Sequence, residues 1–144
     1  MSRLRVSVVL NAPPSQVWAD VRNISSHVNW MNDAVAIRFT GPTTEGVGTT
    51  FDCDTKVGPI RLTDRMAVTS WVDGSEMGVR HVGIVTGSGV FRLRAKSKGR
   101  TKFTWTERLE FPWWMGGPVG ALAAVPVLKL VWKRSMKNLA ARFD

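Results

Sequence analysis

The sequence predicts an α+β fold in which a curved antiparallel sheet of seven strands packs against one long C-terminal helix. Most of the chain consists of runs that alternate apolar and polar residues, separated by short turns rich in Gly, Pro and Asp, and this pattern is typical of antiparallel strands. Helical spacing is confined to two short segments after the first strand and to the C-terminal segment. The length of 144 residues fits one domain, and we expect residues 1–144 to form it.

The elements have separate signals. Every second residue from Leu4 to Leu10 is apolar, which favours a half-buried strand over a secretory signal peptide. Pro13 and Pro14 follow, and proline suits the first turn of a helix. A second short helix is predicted to begin near Ser25. Six further strands are predicted in the alternating runs 35–40, 49–57, 60–72, 77–85, 88–95 and 101–111.

The C-terminal segment raises the question of a membrane span, because residues 113–132 contain a single charge, at Lys129. Several glycines and Pro126 interrupt this stretch, and such residues weaken a continuous spanning helix. After Pro126, apolar residues recur at helical spacing while lysines line another face, which indicates an amphipathic helix. We therefore predict a kinked, half-buried C-terminal helix rather than a transmembrane one.

The net charge of +9, from 20 Lys and Arg against 11 Asp and Glu, invites a nucleic-acid interpretation. Such an interface interleaves basic residues with exposed aromatic ones, whereas strand parity places the aromatic side chains inward and the basic ones outward. We therefore expect no specific nucleic-acid binding; the basic exterior instead suits peripheral contact with an anionic membrane or capture of an anionic amphipath. The outward basic positions are Arg61, Arg65, Arg80, Arg92, Arg94, Lys102 and Arg108 on strands and Lys129, Lys133, Arg134, Lys137 and Arg142 on the helix.

The chain has one cysteine, Cys53, and two histidines, His27 and His81. This composition excludes an internal disulfide and a cysteine-based metal cluster, and it leaves few options for zinc. We expect no metal and no cofactor, a cytoplasmic location, and a monomer or homodimer. Cys53 is expected to be a small buried side chain. His27 is expected to be a surface or helix-capping residue, with a gating or ligand-binding role as the alternative.

The order of short motifs along the chain carries a resemblance to one superfamily. These motifs are Ala12-Pro13-Pro14-Ser15-Gln16-Val17-Trp18, His27-x-x-Trp30-Met31, Gly46-Val47-Gly48-Thr49-x-Phe51, Val57-Gly58-Pro59, Thr63-Asp64-Arg65-Met66, Phe103-Thr104-Trp105-Thr106-Glu107 and Phe111-Pro112-Trp113-Trp114-x-Gly116-Gly117-Pro118. In this order they resemble the START/SRPBCC superfamily, and more narrowly its bacterial polyketide cyclase/dehydrase and lipid transport branch. The resemblance implies a helix-grip fold, in which the sheet wraps around the C-terminal helix, and this fold hosts diverse functions.

A sheet that curls around a helix leaves space for an apolar cavity between them, and strand parity indicates which side chains face it. Three ionisable residues, Asp64, His81 and Glu107, fall on the inward faces of their strands. The segment Gly116-Gly117-Pro118 is expected to be a plain junction between a loop and the C-terminal helix; alternatively, it is a mobile entrance, because glycines absorb backbone rotation. The predicted ligand-binding residues are Phe51, Cys53, Asp64, Met66, Val79, His81, Phe91, Phe103, Trp105, Glu107, Trp114 and Leu128.

Three interpretations of Asp64, His81 and Glu107 remain open. In the first, they pair with one another or with an inward arginine and thereby link the strands, because burial of an unpaired charge costs a large amount of free energy. Alternatively, they orient the polar end of a lipid, polyketide or aromatic ligand. In the third interpretation they are the catalytic acid/base residues of an enzyme resembling polyketide cyclases. The sequence has no nucleophile motif, phosphate loop or metal cluster, so we expect binding or transport of a hydrophobic molecule, with a basic-surface accessory protein as a further alternative.

Overall fold

One sheet of seven antiparallel strands dominates the fold. The computed structural model describes residues 2–144, apart from the side chains of Ser2 and Ala121; Met1 lies outside the described residues. The strands are β1 (Ser2–Leu10), β2 (Ala34–Phe39), β3 (Thr50–Val57), β4 (Ile60–Val72), β5 (Glu76–Val82), β6 (Thr86–Lys96) and β7 (Arg100–Glu110). In the sheet they follow the order β1-β7-β6-β5-β4-β3-β2. Strands β2 to β7 therefore pair in sequence order, as expected for short turns, and the predicted seven-stranded antiparallel sheet is confirmed.

The helices lie at the two ends of the strand series, as predicted. The α-helices are α1 (Pro14–Val21) and α2 (Gly117–Ala141), and the 3-10 helices are Ile24–Asn29, Ser97–Gly99 and Trp113–Met115. The predicted second short helix is thus the first 3-10 helix. Helix α2 runs through Pro126, which is exposed. Within the described part of the chain, no helix is long and apolar enough to cross a membrane.

The inner face of the sheet, defined as the face that packs on α2, buries only the second half of that helix. Met136 and Leu139 are buried there, and the Trp132 ring stacks on Trp105 of β7 with centroids 4.5 Å apart. The first half of α2 is different, because Val119 is 74% exposed and Leu122 is 77% exposed. Helix α2 is therefore anchored by its C-terminal half, while its N-terminal half covers the site described below.

Strand register decides whether the predicted inward residues face α2. Each strand pair keeps a regular register except for two shifts, one between Ala34 and Ala36 in β2 and one between Val68 and Ser70 in β4. A β-bulge of this kind reverses the parity of the residues that follow it. The shift in β4 lies beyond Asp64, so the predicted inward parity of that residue is preserved.

Candidate ligand cavity and its buried charge triad

A cavity of about 520 Å³ lies between the inner face of the sheet and the first half of α2. Its walls are mostly aliphatic, aromatic and methionine side chains, interrupted by a small group of ionisable residues. The predicted residues that line it are Phe51, Cys53, Asp64, Met66, Val79, His81, Phe91, Trp105, Glu107 and Leu128. Their position at the cavity is a geometric fact, and their role in binding stays a prediction.

Two predicted cavity residues lie elsewhere. Phe103 is completely buried in the core, where its ring centroid lies 5.1 Å from that of Phe91 and 6.1 Å from that of Trp30. Strand parity assigned Phe103 to the correct face, but it gives no information on how far along the strand the cavity extends. Trp114 is 59% exposed, and the next residue, Met115, lines the cavity instead.

The mouth of the cavity is marked by residues that line it and are also exposed. Ile60 is the first residue of β4, Ile84 lies between β5 and β6, and Val127 lies on α2; each is at least 45% exposed. The mouth is therefore bordered by two hairpin ends and the middle of α2. Gly116-Gly117-Pro118 form the expected junction at the start of α2 and are outside the cavity lining, so the alternative of an entrance at this segment does not match the position of the mouth.

The three inward ionisable residues form a hydrogen-bonded triad at the cavity wall. Nδ1–H of His81 donates to Oδ2 of Asp64 over 2.9 Å, and Nε2–H of His81 donates to Oε2 of Glu107 over 2.7 Å. The second oxygen of Glu107, Oε1, accepts the indole N–H of Trp105 over 3.0 Å. The first of the three open interpretations, mutual pairing that ties β4, β5 and β7 together, is thus realised in the structure.

A gap in β6 allows this triad to form. His81 on β5 and Glu107 on β7 are separated by β6, and neighbouring strands lie about 4.8 Å apart. Opposite these two residues β6 carries Gly87 and Gly89. A methyl group at Gly89 would lie 2.6 Å from Cδ of Glu107, which is far inside van der Waals contact. The alternating glycines Gly87-Ser88-Gly89 are the sequence signal for this crossing, and the sequence analysis did not use it.

The triad also sets the charge of His81. Burial by itself lowers the pKa of this imidazole, but the hydrogen bonds to Asp64 and Glu107 and their negative charges outweigh it and raise the pKa to about 10. At neutral pH the ring is therefore an imidazolium ion that uses both of its N–H groups as donors. Neither ring nitrogen has a lone pair to accept a proton or to bind a metal.

Asp33 is the site residue that the sequence analysis missed. It lies in the loop before β2, where no strand period applies, and its backbone oxygen accepts a hydrogen bond from Lys56 of β3 over 2.8 Å. Its side chain lines the cavity, is 9% exposed and accepts the indole N–H of Trp132 at Oδ2 over 3.2 Å. Burial raises the pKa of the Asp33 carboxyl. Among the described residues, Oδ1 of Asp33 and Oδ1 of Asp64 are buried without a hydrogen-bond partner.

Sequence comparison assigns this arrangement of sheet, helix and cavity to a known family. Residues 1–144 match the profile of the family described as "Polyketide cyclase / dehydrase and lipid transport". The chain belongs to this family. The predicted resemblance to this branch of the START/SRPBCC superfamily is thereby confirmed. No curated protein matches this member of the polyketide cyclase/dehydrase and lipid transport family significantly.

Solved structures share the fold of this family member over nearly its whole length. XoxI from Bacillus cereus has a TM-score of 0.78 at 15% identity, covering 99% of this chain and 96% of its own. A START superfamily protein from Mycobacterium smegmatis has a TM-score of 0.77 at 9% identity, covering 98% and 96%. The Zhui aromatase/cyclase from Streptomyces sp. R1128 has a TM-score of 0.73 at 16% identity, covering 98% and 92%. At these identities the likeness shows the shared fold, and it confirms the predicted helix-grip arrangement.

His27 of this family member is buried in the cavity wall, so its expected surface position is wrong, whereas the expected helix-capping contact is present at the last residue of α1. The 3-10 helix Ile24–Asn29 turns the imidazole inward, where it lies between the rings of Trp30 and Phe91 with centroid distances of 5.4 Å and 5.5 Å. Its Nε2–H donates to the carbonyl oxygen of Val21 over 2.7 Å. Burial lowers the pKa of His27 to about 4, so this ring is neutral at physiological pH.

Cys53 occupies the buried position that the strand pattern of this family member predicts. Burial raises the pKa of its thiol to about 12, and a thiol in that state is a poor nucleophile. In residues 2–144, no group of three or more His, Cys, Asp and Glu side chains is arranged to hold a metal ion. The cavity therefore offers hydrogen-bonding and charged groups, but neither an activated thiol nor a metal centre among the described residues.

Replacing Gly89 by Ala is expected to lower the free energy of unfolding by about 2–3 kcal/mol, because the added methyl displaces the Glu107 carboxylate from its hydrogen bonds. Urea denaturation measures the change. Ser88→Ala is the matched control, since Ser88 is the neighbouring residue on the exposed outer face of β6. Equal stability of the two variants would contradict the role of the glycine gap in this family member.

Proposed function

We propose that this protein binds a hydrophobic small molecule in the cavity between the sheet and α2. The observation that carries the proposal is an apolar cavity of about 520 Å³ with a few ionisable groups in its wall. Small-molecule sites in proteins are commonly of this size and have this composition, a mainly apolar lining with a few placed polar groups. The family description, which includes lipid transport, supports the same function.

The apolar lining supplies the affinity in this proposal. Burial of an apolar ligand surface contributes about 25 cal/mol per Å², or about 0.8 kcal/mol for each buried methylene group. Met66, Phe91 and Leu128 reach the cavity from two strands and from α2, so an elongated or polycyclic ligand contacts both layers of the fold. The ionisable residues then orient the polar part of the ligand.

A cavity-filling substitution tests the proposal. Native mass spectrometry of the purified protein is expected to show a bound small molecule, which extraction identifies, and titration with the neutral dye Nile red is expected to saturate. Ala124→Phe places a ring in the cavity, because Ala124 lines it on α2, and is expected to abolish both signals. Ala141→Phe is the control on the exposed C-terminal turn of the same helix. Absence of ligand and of dye binding in the unmodified protein would overturn the proposal.

A cyclase-like enzyme is the second candidate, and the position of His81 between two carboxylates at the cavity wall supports it. One structural neighbour, Zhui from Streptomyces sp. R1128, is an aromatase/cyclase. The charge state of His81 favours binding over this reaction, because an imidazolium with a pKa near 10 does not act as a general base at neutral pH. Asp64→Asn and Glu107→Gln retain the shapes of the side chains. If turnover of an aromatic polyketide precursor requires these carboxylates, both variants lose it; unchanged turnover refutes the catalytic role.

Exposed apolar residues beside the mouth support the peripheral membrane contact expected from the basic exterior. Trp113 is 86% exposed, and Val119 and Leu122 follow it on the exposed part of α2. Farther along this helix, Lys129 and Lys133 are exposed. An apolar patch next to basic residues is typical of a surface that inserts into the interface of an anionic bilayer. Such contact places the cavity mouth near a source of hydrophobic ligands.

The double substitution Trp113→Ser and Leu122→Ser is expected to reduce binding to vesicles that contain phosphatidylglycerol by about tenfold, because each side chain contributes more than 1 kcal/mol of apolar burial. Flotation with phosphatidylcholine vesicles, with and without the anionic lipid, measures this binding. Val35→Ser is the control, because Val35 is an apolar residue of β2 that is 59% exposed. Negligible binding of the unmodified protein to both vesicle types would overturn the proposal of membrane contact.

A further inference from the structure

The interior of the cavity has the opposite charge from the exterior of the protein. The whole chain carries a net charge of +9, yet the described residues that line the cavity include neither Lys nor Arg. The lining does include three carboxyl groups, those of Asp33, Asp64 and Glu107. Its cationic group is the imidazolium of His81, and this ion already donates to two of the carboxylates. The triad alone therefore sums to one negative charge.

Two of the carboxyl groups also have unused acceptor capacity. Glu107 is fully engaged, because His81 and Trp105 each donate to one of its oxygens. By contrast, Oδ1 of Asp33 and Oδ1 of Asp64 are buried without a hydrogen-bond partner within residues 2–144. A buried acceptor without a partner costs free energy comparable to a lost hydrogen bond. A hydrogen-bond donor from a bound molecule or from water would stabilise each of these two oxygens, as would the proton of a protonated carboxyl group.

The charges near Asp33 also indicate that the cavity has an excess of negative charge. Burial, opposed by the hydrogen bond from Trp132, raises the pKa of its carboxyl, and the negative charges of Glu107 and Asp64 raise it further. Apart from the His81 imidazolium, which is already paired with Asp64 and Glu107, the other ionisable groups of the lining are His27, which is neutral, and Cys53, whose thiol is protonated. No group among them compensates the negative charge.

We propose that the cavity selects hydrophobic ligands whose polar end donates hydrogen bonds, an ammonium group above a hydroxyl group, and rejects those that end in a carboxylate or phosphate. The proposal rests on the proposed function, since it specifies the ligand of the same cavity. An ammonium group compensates the net negative charge and supplies donors for Asp33 and Asp64. A carboxylate brings a further negative charge and no donor, and juxtaposition of like charges away from water is strongly unfavourable.

The charge of the basic exterior favours the opposite class of ligand from the charge of the cavity, so the two influences can be distinguished experimentally. The surface charge attracts anionic molecules and repels cationic ones at long range, so a preference for an amine must arise inside the cavity. Surface electrostatics is screened by salt, whereas interactions of buried charges are screened much less. The preference is therefore expected to persist at high salt, where the influence of the exterior is suppressed.

Four ligands with the same twelve-carbon chain test the proposal: dodecylamine, 1-dodecanol, laurate and dodecyl phosphate. Isothermal titration calorimetry at neutral pH, below the critical micelle concentrations, is expected to give an affinity for dodecylamine at least about tenfold above that for laurate. The alcohol is expected to be intermediate, and dodecyl phosphate the weakest. Laurate or dodecyl phosphate binding as tightly as the amine would overturn this proposal while leaving hydrophobic binding intact. No binding of any of the four, together with a failure to bind Nile red, would overturn the proposed function as well.

Substitutions that preserve shape identify the groups responsible. Asp33→Asn and Asp64→Asn each replace a carboxyl group, which can carry a negative charge and pair with an ammonium group, by a neutral amide, and each is expected to reduce the ratio of amine to laurate affinity by about tenfold or more. Glu110→Gln removes one negative charge from an exposed position on β7 and is expected to leave the ratio unchanged. An equal change in all three variants would overturn the assignment to the interior, because it would reflect the total charge of the protein.

Discussion

Replacement of His81 by Leu is expected to lower the free energy of unfolding by about 3–5 kcal/mol, the largest effect of any single substitution that we predict. The reason is that the substitution removes the shared donor of Asp64 and Glu107 and leaves two carboxylates in the wall of an apolar cavity. His81 is 6% exposed, so water does not replace it readily. Urea denaturation monitored by tryptophan fluorescence measures the change, with circular dichroism as a check on the native fold.

Two control variants separate the triad from charge loss in general. Arg38→Leu breaks a surface ion pair in which the guanidinium and Asp54 lie 2.6 Å apart, and it is expected to change stability little, because exposed ion pairs contribute little. In a triple variant, His81→Leu is combined with Asp64→Asn and Glu107→Gln; this variant removes both buried negative charges and is expected to recover much of the lost stability. A His81→Leu protein as stable as Arg38→Leu would refute the energetic role of the triad.

The second large effect is a loss of stability in mildly alkaline solution. The folded-state pKa of His81, about 10, lies above the unfolded value of 6.5, so its contribution is complete below pH 6.5 and is lost as the pH rises toward 10. Between these values the folded state holds one more proton than the unfolded state. The free energy of unfolding is therefore expected to fall by about 1.4 kcal/mol per pH unit above pH 6.5.

Measurement between pH 6.5 and about 7.5 stays below the range in which the cysteine thiol of the unfolded chain ionises. Urea denaturation across this range is expected to show the decline in the unmodified protein and a much weaker one in His81→Leu. Because the chain has two histidines, imidazole nitrogen NMR identifies both states directly. His81 is expected to remain charged and His27, with its pKa lowered to about 4 by burial, to remain neutral. Stability that is flat or rises over this range would contradict the protonation of His81.

The fold was predictable from the sequence because the alternation of apolar and polar residues along an antiparallel strand indicates which face of the sheet each residue occupies. A period of two assigns each strand residue to a face, and this rule correctly placed Asp64, His81 and Glu107 toward α2. Local parity succeeded because the register shift in β4 lies beyond Asp64, between Val68 and Ser70. The boundaries of the strands followed the Gly, Pro and Asp turns for the same local reason.

The features of the site that were not predicted depend on loop conformation and on packing between layers, which the periodic pattern of a strand does not determine. Asp33 lies in a loop, where parity does not apply, and Phe103 has the correct parity but lies where the layers pack too closely to leave a cavity. The inward position of His27 follows from a single 3-10 turn, and the exposed position of Trp114 follows from the short helix before α2. The mutual pairing of the triad requires a hydrogen bond from His81 on β5 to Glu107 on β7, across the intervening strand β6. Strand parity gives the face of each residue but not the distance between residues on strands that are not neighbours.

The glycine gap in β6 has a consequence for how the sheet opens. Ladder hydrogen bonds join β6 to β5 on one side and to β7 on the other, while the bond between His81 and Glu107 spans β6 on the inner face. Strands β5, β6 and β7 are thus linked by backbone hydrogen bonds, and β5 and β7 are also linked to each other by the side-chain hydrogen bond across β6. Separation of β5 from β6 would also strain the side-chain link to β7. We therefore expect the amide hydrogens of β5, β6 and β7 to exchange as one cooperative unit, which hydrogen-exchange measurement would show.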